Sequence, residues 1–171
     1  MTIDDALRTT AEWRSMDDKD RLPDRLRFVA CERSGDWAAL LRMSLNASTV
    51  RLCETRTLED CWNQLLQFPT SIAMIELTAA NAKQLVATLL RLQRDLPEAR
   101  AIVVAKRQLA GHGRLMREAG AIHFVISPRS LAAVADIVRR RRIELDVAAI
   151  HEIDDTVDPQ PAIIANLPWS V

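Results

Sequence analysis

Five short runs rich in β-branched residues punctuate this chain: "LRFVACE" from Leu26, "TVRLCE" from Thr49, "SIAMIEL" from Ser71, "AIVVAK" from Ala101 and "IHFVIS" from Ile122. Each has the length and composition of a strand. They read as nearly continuous apolar stretches rather than as alternations, so both faces of every strand must be covered. A parallel sheet with helices on each side meets that demand, and the order of elements predicts a doubly wound α/β fold of pattern (βα)5.

The intervening segments carry helical spacing. Trp37, Leu40, Leu41 and Leu45 form the first apolar stripe, and Leu58, Cys61, Trp62, Leu65 and Leu66 the second. Leu85, Val86, Leu89, Leu92 and Leu96 form the third, and Leu131, Val134 and Val138 the last. A fourth helix around Leu115 and Met116 is weakened by Gly111 and Gly113. Thr57 with Asp60 resembles a capping box, and Ser130 stands where an N-cap would precede "LAAVADIVRR". In such a sheet the working site lies at the carboxyl ends of the strands. The residues there are Ala30, Cys31 and Glu32 after strand 1, Glu76 after strand 3, Ala105 and Lys106 after strand 4, and Ser127 with Pro128 after strand 5.

A length of 171 residues suits one domain with extensions. No run approaches the roughly 20 apolar residues of a membrane span, and the acid-studded "MTIDDALRTTAEWRSMDDKD" has no signal-peptide core, so a cytoplasmic protein is expected. Cys31, Cys53 and Cys61 lack C-x-x-C spacing and read as free thiols; no metal and no cofactor is assigned. The net charge of zero hides an uneven distribution. Residues 1–24 hold seven acids and four bases, and residues 143–171 hold six acids and no Lys or Arg. That leaves ten acids and nineteen bases between, a central net of +9. The expected organisation is an acidic extension (1–24), a globular domain (25–142), and a helix extension followed by an acidic and apolar tail (143–171).

The run "EAGAIHFVISPRSLAAVADIVRR" resembles the last strand and helix of a receiver domain of two-component response regulators, with Gly120, Ala121, Phe124 and Pro128 fixing the register. The resemblance spans roughly residues 25–142 and implies a CheY-like, flavodoxin-like fold with a five-stranded parallel sheet in order 2-1-3-4-5. "PTSIAMIEL" is similar to the phosphoacceptor strand, with Glu76 at or beside the acceptor Asp. In receivers that Asp takes a phosphoryl group, paired acids after strand 1 help hold Mg²⁺, and a Thr or Ser after strand 4 and a Lys after strand 5 grip the phosphoryl group. Against that pattern the acid pair falls on Ala30 and Cys31, the acceptor on Glu76, the hydroxyl on Ala105 and the Lys on Ser127, while Glu32 retains one carboxylate that could offer an oxygen. The resemblance therefore implies a pseudo-receiver: a phosphorylation-independent signalling or protein-interaction module, not an enzyme. Alternatives are a receiver-like regulator answering a small ligand and a basic nucleic-acid-binding accessory protein.

Several residues carry narrower expectations. Glu76 either ends its strand in solvent, pairs with an Arg, or imitates the charge of an aspartyl phosphate. Phe124 occupies the switch-aromatic position and is expected to pack inward above Ala105. In receivers the peptide before the proline is typically cis, which predicts that geometry at Ser127–Pro128. Glu32 and Glu76 would raise the pKa of Cys31 and keep it unreactive. Arg139, Arg140, Arg141 and Arg142 read as a solvated run ending a helix, with nucleic-acid binding disfavoured for want of a recognition helix or stacking aromatics. Ile163, Ile164, Leu167 and Trp169 form an apolar cluster expected to dock in cis or onto a partner. The expected partner is a protein or a second copy, met through the helix 4/strand 5/helix 5 face or the tail, with no membrane contact.

Overall fold

The computed structural model describes residues 26–45 and 50–155. The 1–24 extension and the tail residues Ile163, Ile164, Leu167 and Trp169 lie outside the described residues. Five strands, β1 (Arg27–Cys31), β2 (Arg51–Thr55), β3 (Ile72–Leu77), β4 (Arg100–Ala105) and β5 (Ala121–Val125), alternate with helices α1 (Asp36–Ser44), α2 (Leu58–Gln67), α3 (Ala82–Asp95), α4 (Gly113–Glu118) and α5 (Leu131–Asp155). All pairings are parallel and the strand order is β2-β1-β3-β4-β5, the expected doubly wound arrangement.

Alternation along each strand feeds two apolar layers. Val29, Ala73, Ile75 and Val103 face α2, α3 and α4, where they meet Leu65, Leu85, Leu89 and Met116. Phe28, Met74, Ile102 and Val104 face α1 and α5, against Trp37, Leu41, Val134 and Val138. The central strand β3 is buried along its whole length, which is why "SIAMIEL" shows no polar alternation.

The helix boundaries follow local chemistry. Thr57 caps α2, its hydroxyl accepting from the Asp60 amide at 3.0 Å as the capping-box pattern predicts, while the Asp60 carboxylate accepts from the Thr57 hydroxyl at 2.7 Å instead of from its backbone N–H. At the start of α5 the expected cap moves. Ser130 lies inside a 3-10 turn, Pro128–Ser130, and it is the Ser127 hydroxyl that accepts from the Arg129 amide. The Ser127–Pro128 peptide is trans, because every described peptide bond is. Pro128 occupies the first position of a helical turn, where its fixed φ and missing N–H suit a trans bond. The fourth helix is short, as Gly111 and Gly113 foretold: a 3-10 segment, Arg107–His112, precedes it. Gly113 is required by packing, since a Cβ there would sit 2.8 Å from the Phe124 ring. Gly120 turns the chain into β5 at φ +112°, a conformation that L side chains rarely adopt. Finally, α5 runs unbroken from Leu131 to Asp155, so Arg139 to Arg142 stand in mid-helix and not at its end.

Candidate functional site

At the carboxyl edge of the sheet, Cys31, Glu32, Arg33, Arg56, Thr57, Glu76, Thr78 and Asn81 are among the residues that line an open cleft of about 240 Å³. Its wall is built by β1, β2 and β3 and the loops that follow them. Ala30 is absent from this lining: it is fully buried in the α1–α5 layer. Strand β1 ends at Cys31, so the two residues that follow it are Glu32 and Arg33. Of the two positions expected for the acid pair, Cys31 lines the cleft and Ala30 does not, and Glu32 and Arg33 follow Cys31 into it. Ala30 is spent on the α1–α5 layer, whereas Cys31, packed in the opposite layer, already lines the cleft.

The charged groups at the edge are engaged by backbone. Glu32 is 2% exposed, and its carboxylate oxygens accept from the amides of Trp37, at 2.9 Å, and Ala38. Gly35 precedes α1 at φ +88° and has no side chain to cap it, so Glu32 supplies the missing acceptor at the positive end of the helix dipole. Glu76 is 8% exposed inside β3, not a solvent-facing strand end, and one carboxylate oxygen accepts from the Arg33 amide at 3.2 Å. Its own carbonyl accepts from the Asn81 side chain at 2.8 Å, while Asn81 and Thr78 exchange side-chain and main-chain bonds that close the β3–α3 turn. Arg56 donates to the carbonyls of Glu32, at 3.0 Å, and Arg33, and pairs with Glu54 at 3.7 Å. Among these, Arg33 and Arg56 escaped the sequence reading. Neither lies in a strand, and the only available signal was their position one or two residues beyond β1 and β2.

The other half of the edge is differently made. Ala105 closes β4, fully buried in the α2–α4 layer, with exposed Lys106 beyond it. Phe124 is half-buried and packs against that same layer, beside Gly113. Ser127 spends its hydroxyl on the Arg129 amide, and Pro128 is exposed. Of the seven predicted pocket positions, Cys31, Glu32 and Glu76 line the cleft, and Ala30, Ala105, Ser127 and Pro128 are not among its lining residues.

The three cysteines converge on α2. The Cys31 thiol donates to the Thr57 carbonyl at 3.3 Å. Its pKa is drawn below the ordinary thiol value, chiefly by a hydrogen bond with the Cys61 thiol, against burial and the nearby Asp60 and Glu76 carboxylates. That reverses the direction expected from the acids alone. The same bond, with burial, pushes Cys61 well above the ordinary value. Among the described residues no group of three or more His, Cys, Asp or Glu side chains is arranged to hold a metal ion.

The arginine run is not a uniform solvated row. Arg141 is buried and donates to both the carbonyl and the carboxylate of Glu98, at 2.9 and 2.8 Å, and to Glu144. Its guanidinium holds the Glu98 carboxyl below its ordinary range. Arg139 pairs with Asp136, Arg142 lies 3.9 Å from Asp146, and Arg140 is exposed. No helix among the described residues is long and apolar enough to cross a membrane.

No family model and no curated protein matches the sequence. Solved structures do match the fold. The CheY-like protein TadZ of Pseudomonas aeruginosa superposes with a TM-score of 0.56 at 18% identity, over 67% of this chain and 93% of that one. An orphan response regulator of H. pylori gives 0.56 at 17%, over 68% and 96%. An atypical orphan response regulator whose structure revealed a phosphorylation-independent regulatory mechanism gives 0.54 at 17%, over 67% and 95%. The fold is thus that of CheY-like receiver domains.

Proposed function

We propose that this chain is a phosphorylation-independent, receiver-like protein-interaction module without enzymatic activity of its own. The observation that carries the reading is the bonding of Glu32: both carboxylate oxygens are committed to α1 amides, and the next residue is Arg33. Magnesium demands several hard oxygens in near-octahedral geometry. Here Glu76 accepts from the Arg33 amide, and it shares the cleft with Glu59 of α2 and with Arg33 and Arg56. The donor set does not fit the ion, and no phosphoryl step is routed through it. Further support comes from the far half of the edge, where Ala105 offers a methyl group and Ser127 caps its own turn. Receiver-like folds with phosphorylation-independent regulation exist, as in the atypical orphan regulator above.

Signal passage in this reading runs through the α4–β5–α5 face, which exposes Leu115 and Ile122, or through the tail. The test is incubation with acetyl phosphate and Mg²⁺ followed by intact mass measurement. An unchanged mass is expected. A stoichiometric, acid-labile phosphoryl adduct would overturn the proposal.

A further inference from the structure

The end of α5 presents apolar side chains on the wrong side for its own domain. Leu131, Val134, Ala135, Val138 and Arg141 are buried against the body, and Leu145 packs partly on it. At about 100° per residue, Ile143 lies about 200° from both Arg141 and Leu145, on the side of the helix facing away from the sheet. Val147 and Ile150 follow at i+4 and i+7 on the same side. Ile143 is 62% exposed, Val147 48% and Ile150 65%, forming a stripe on a 25-residue helix that continues past Leu145, the last residue packed on the core among the described side chains. Spacing of four and three is that of a helix seam packed against another helix.

Charge along the helix selects the occupant and its direction. The first half carries Arg139, Arg140, Arg141 and Arg142; from residue 143 to 155 there are Glu144, Asp146, Glu152, Asp154 and Asp155 and no Lys or Arg. A parallel pair would set arginines against arginines and acids against acids. An antiparallel pair sets the basic half of each copy against the acidic half of the other. The arrangement is its own complement, as a two-fold interface requires.

We propose that two copies of this chain associate through an antiparallel pairing of their α5 helices, with Ile143, Val147 and Ile150 at the seam and exposed Arg140 directed toward the acidic end of the partner helix. This rests on the reading of the chain as a protein-interaction module, and it assigns the contact to the far end of α5 rather than to the α4–β5–α5 face.

Sedimentation of the full chain over a concentration series tests it. A monomer–dimer equilibrium is expected, and the I143E/I150E double variant is expected to be monomeric while keeping the parent helicity and the melting temperature that the parent shows at its lowest, monomeric concentration, since both side chains point away from the core. Direction is read from single cysteine variants: V147C, near the two-fold axis, gives an intermolecular disulfide, whereas R140C does not. A chain monomeric at all concentrations, a dimer that survives I143E/I150E, or a disulfide formed as readily by R140C would each overturn the inference. A dimer lost instead on L115E/I122E also overturns it, yet leaves the proposed function standing; a phosphoryl adduct overturns the function and not the dimer.

Discussion

The two halves of the sheet's carboxyl edge solve the same problem by opposite means. Around β1 and β3 the edge is polar, and nearly every polar group is bound to main chain: Glu32 to α1, Glu76 to the Arg33 amide, Asn81 to the β3–α3 turn, Arg56 to two carbonyls. Around β4 and β5 the edge is filled by hydrocarbon, with Ala105 and Phe124 in the core layer and Ser127 serving only its own turn. A receiver-type site needs both halves to aim free polar groups at one point. In this chain the first half ties most of its polar groups to main chain, and the second offers only Lys106 and Ser127 among the described strand ends.

Substitutions sharpen that contrast, because the polar half should suffer from removal and the apolar half from addition. The largest effect is expected from E32A, which strips the cap from α1 and leaves buried amides without an acceptor, a loss of about 2–3 kcal/mol read from denaturant melts; E32Q keeps an acceptor and should lose less than half as much. G113A adds a methyl 2.8 Å from the Phe124 ring and should cost about 2 kcal/mol. Combining it with F124L should recover part of that loss, since the leucine frees the space. S127A removes one cap from a short exposed turn, with an expected cost of about 0.5–1 kcal/mol. If S127A proved as damaging as E32A, the two halves would not differ as described.

Much of the fold was legible before the structure. Strand runs, helix stripes, the Thr57–Asp60 cap and the glycine-weakened fourth helix all follow from period and local chemistry, which act within a few residues. The site was less so. That Ala30 lies in a core layer while Cys31, Glu32 and Arg33 line the cleft was hidden, because the end of a five-residue apolar run does not announce which residue leaves the sheet. The use of Glu32 as a helix cap was hidden for a related reason: the donors, the Trp37 and Ala38 amides, become a target only once Gly35 turns the chain back. The cis peptide expected at Pro128 came from resemblance, and the trans turn found there shows that an "SP" corner can be built as a helix start. Charge counting likewise missed that Arg141 is a buried tie to Glu98.

The central claim is that the edge has no free constellation for Mg²⁺ and a phosphoryl-like anion. Backbone amide spectra recorded with and without Mg²⁺ and beryllofluoride address it directly. The amides of Arg33, Trp37 and Ala38, which report the bonds of Glu76 and Glu32, should not move, and neither should those of Ala105 and Ser127. A saturable, magnesium-dependent shift shared by both groups of amides would contradict the account.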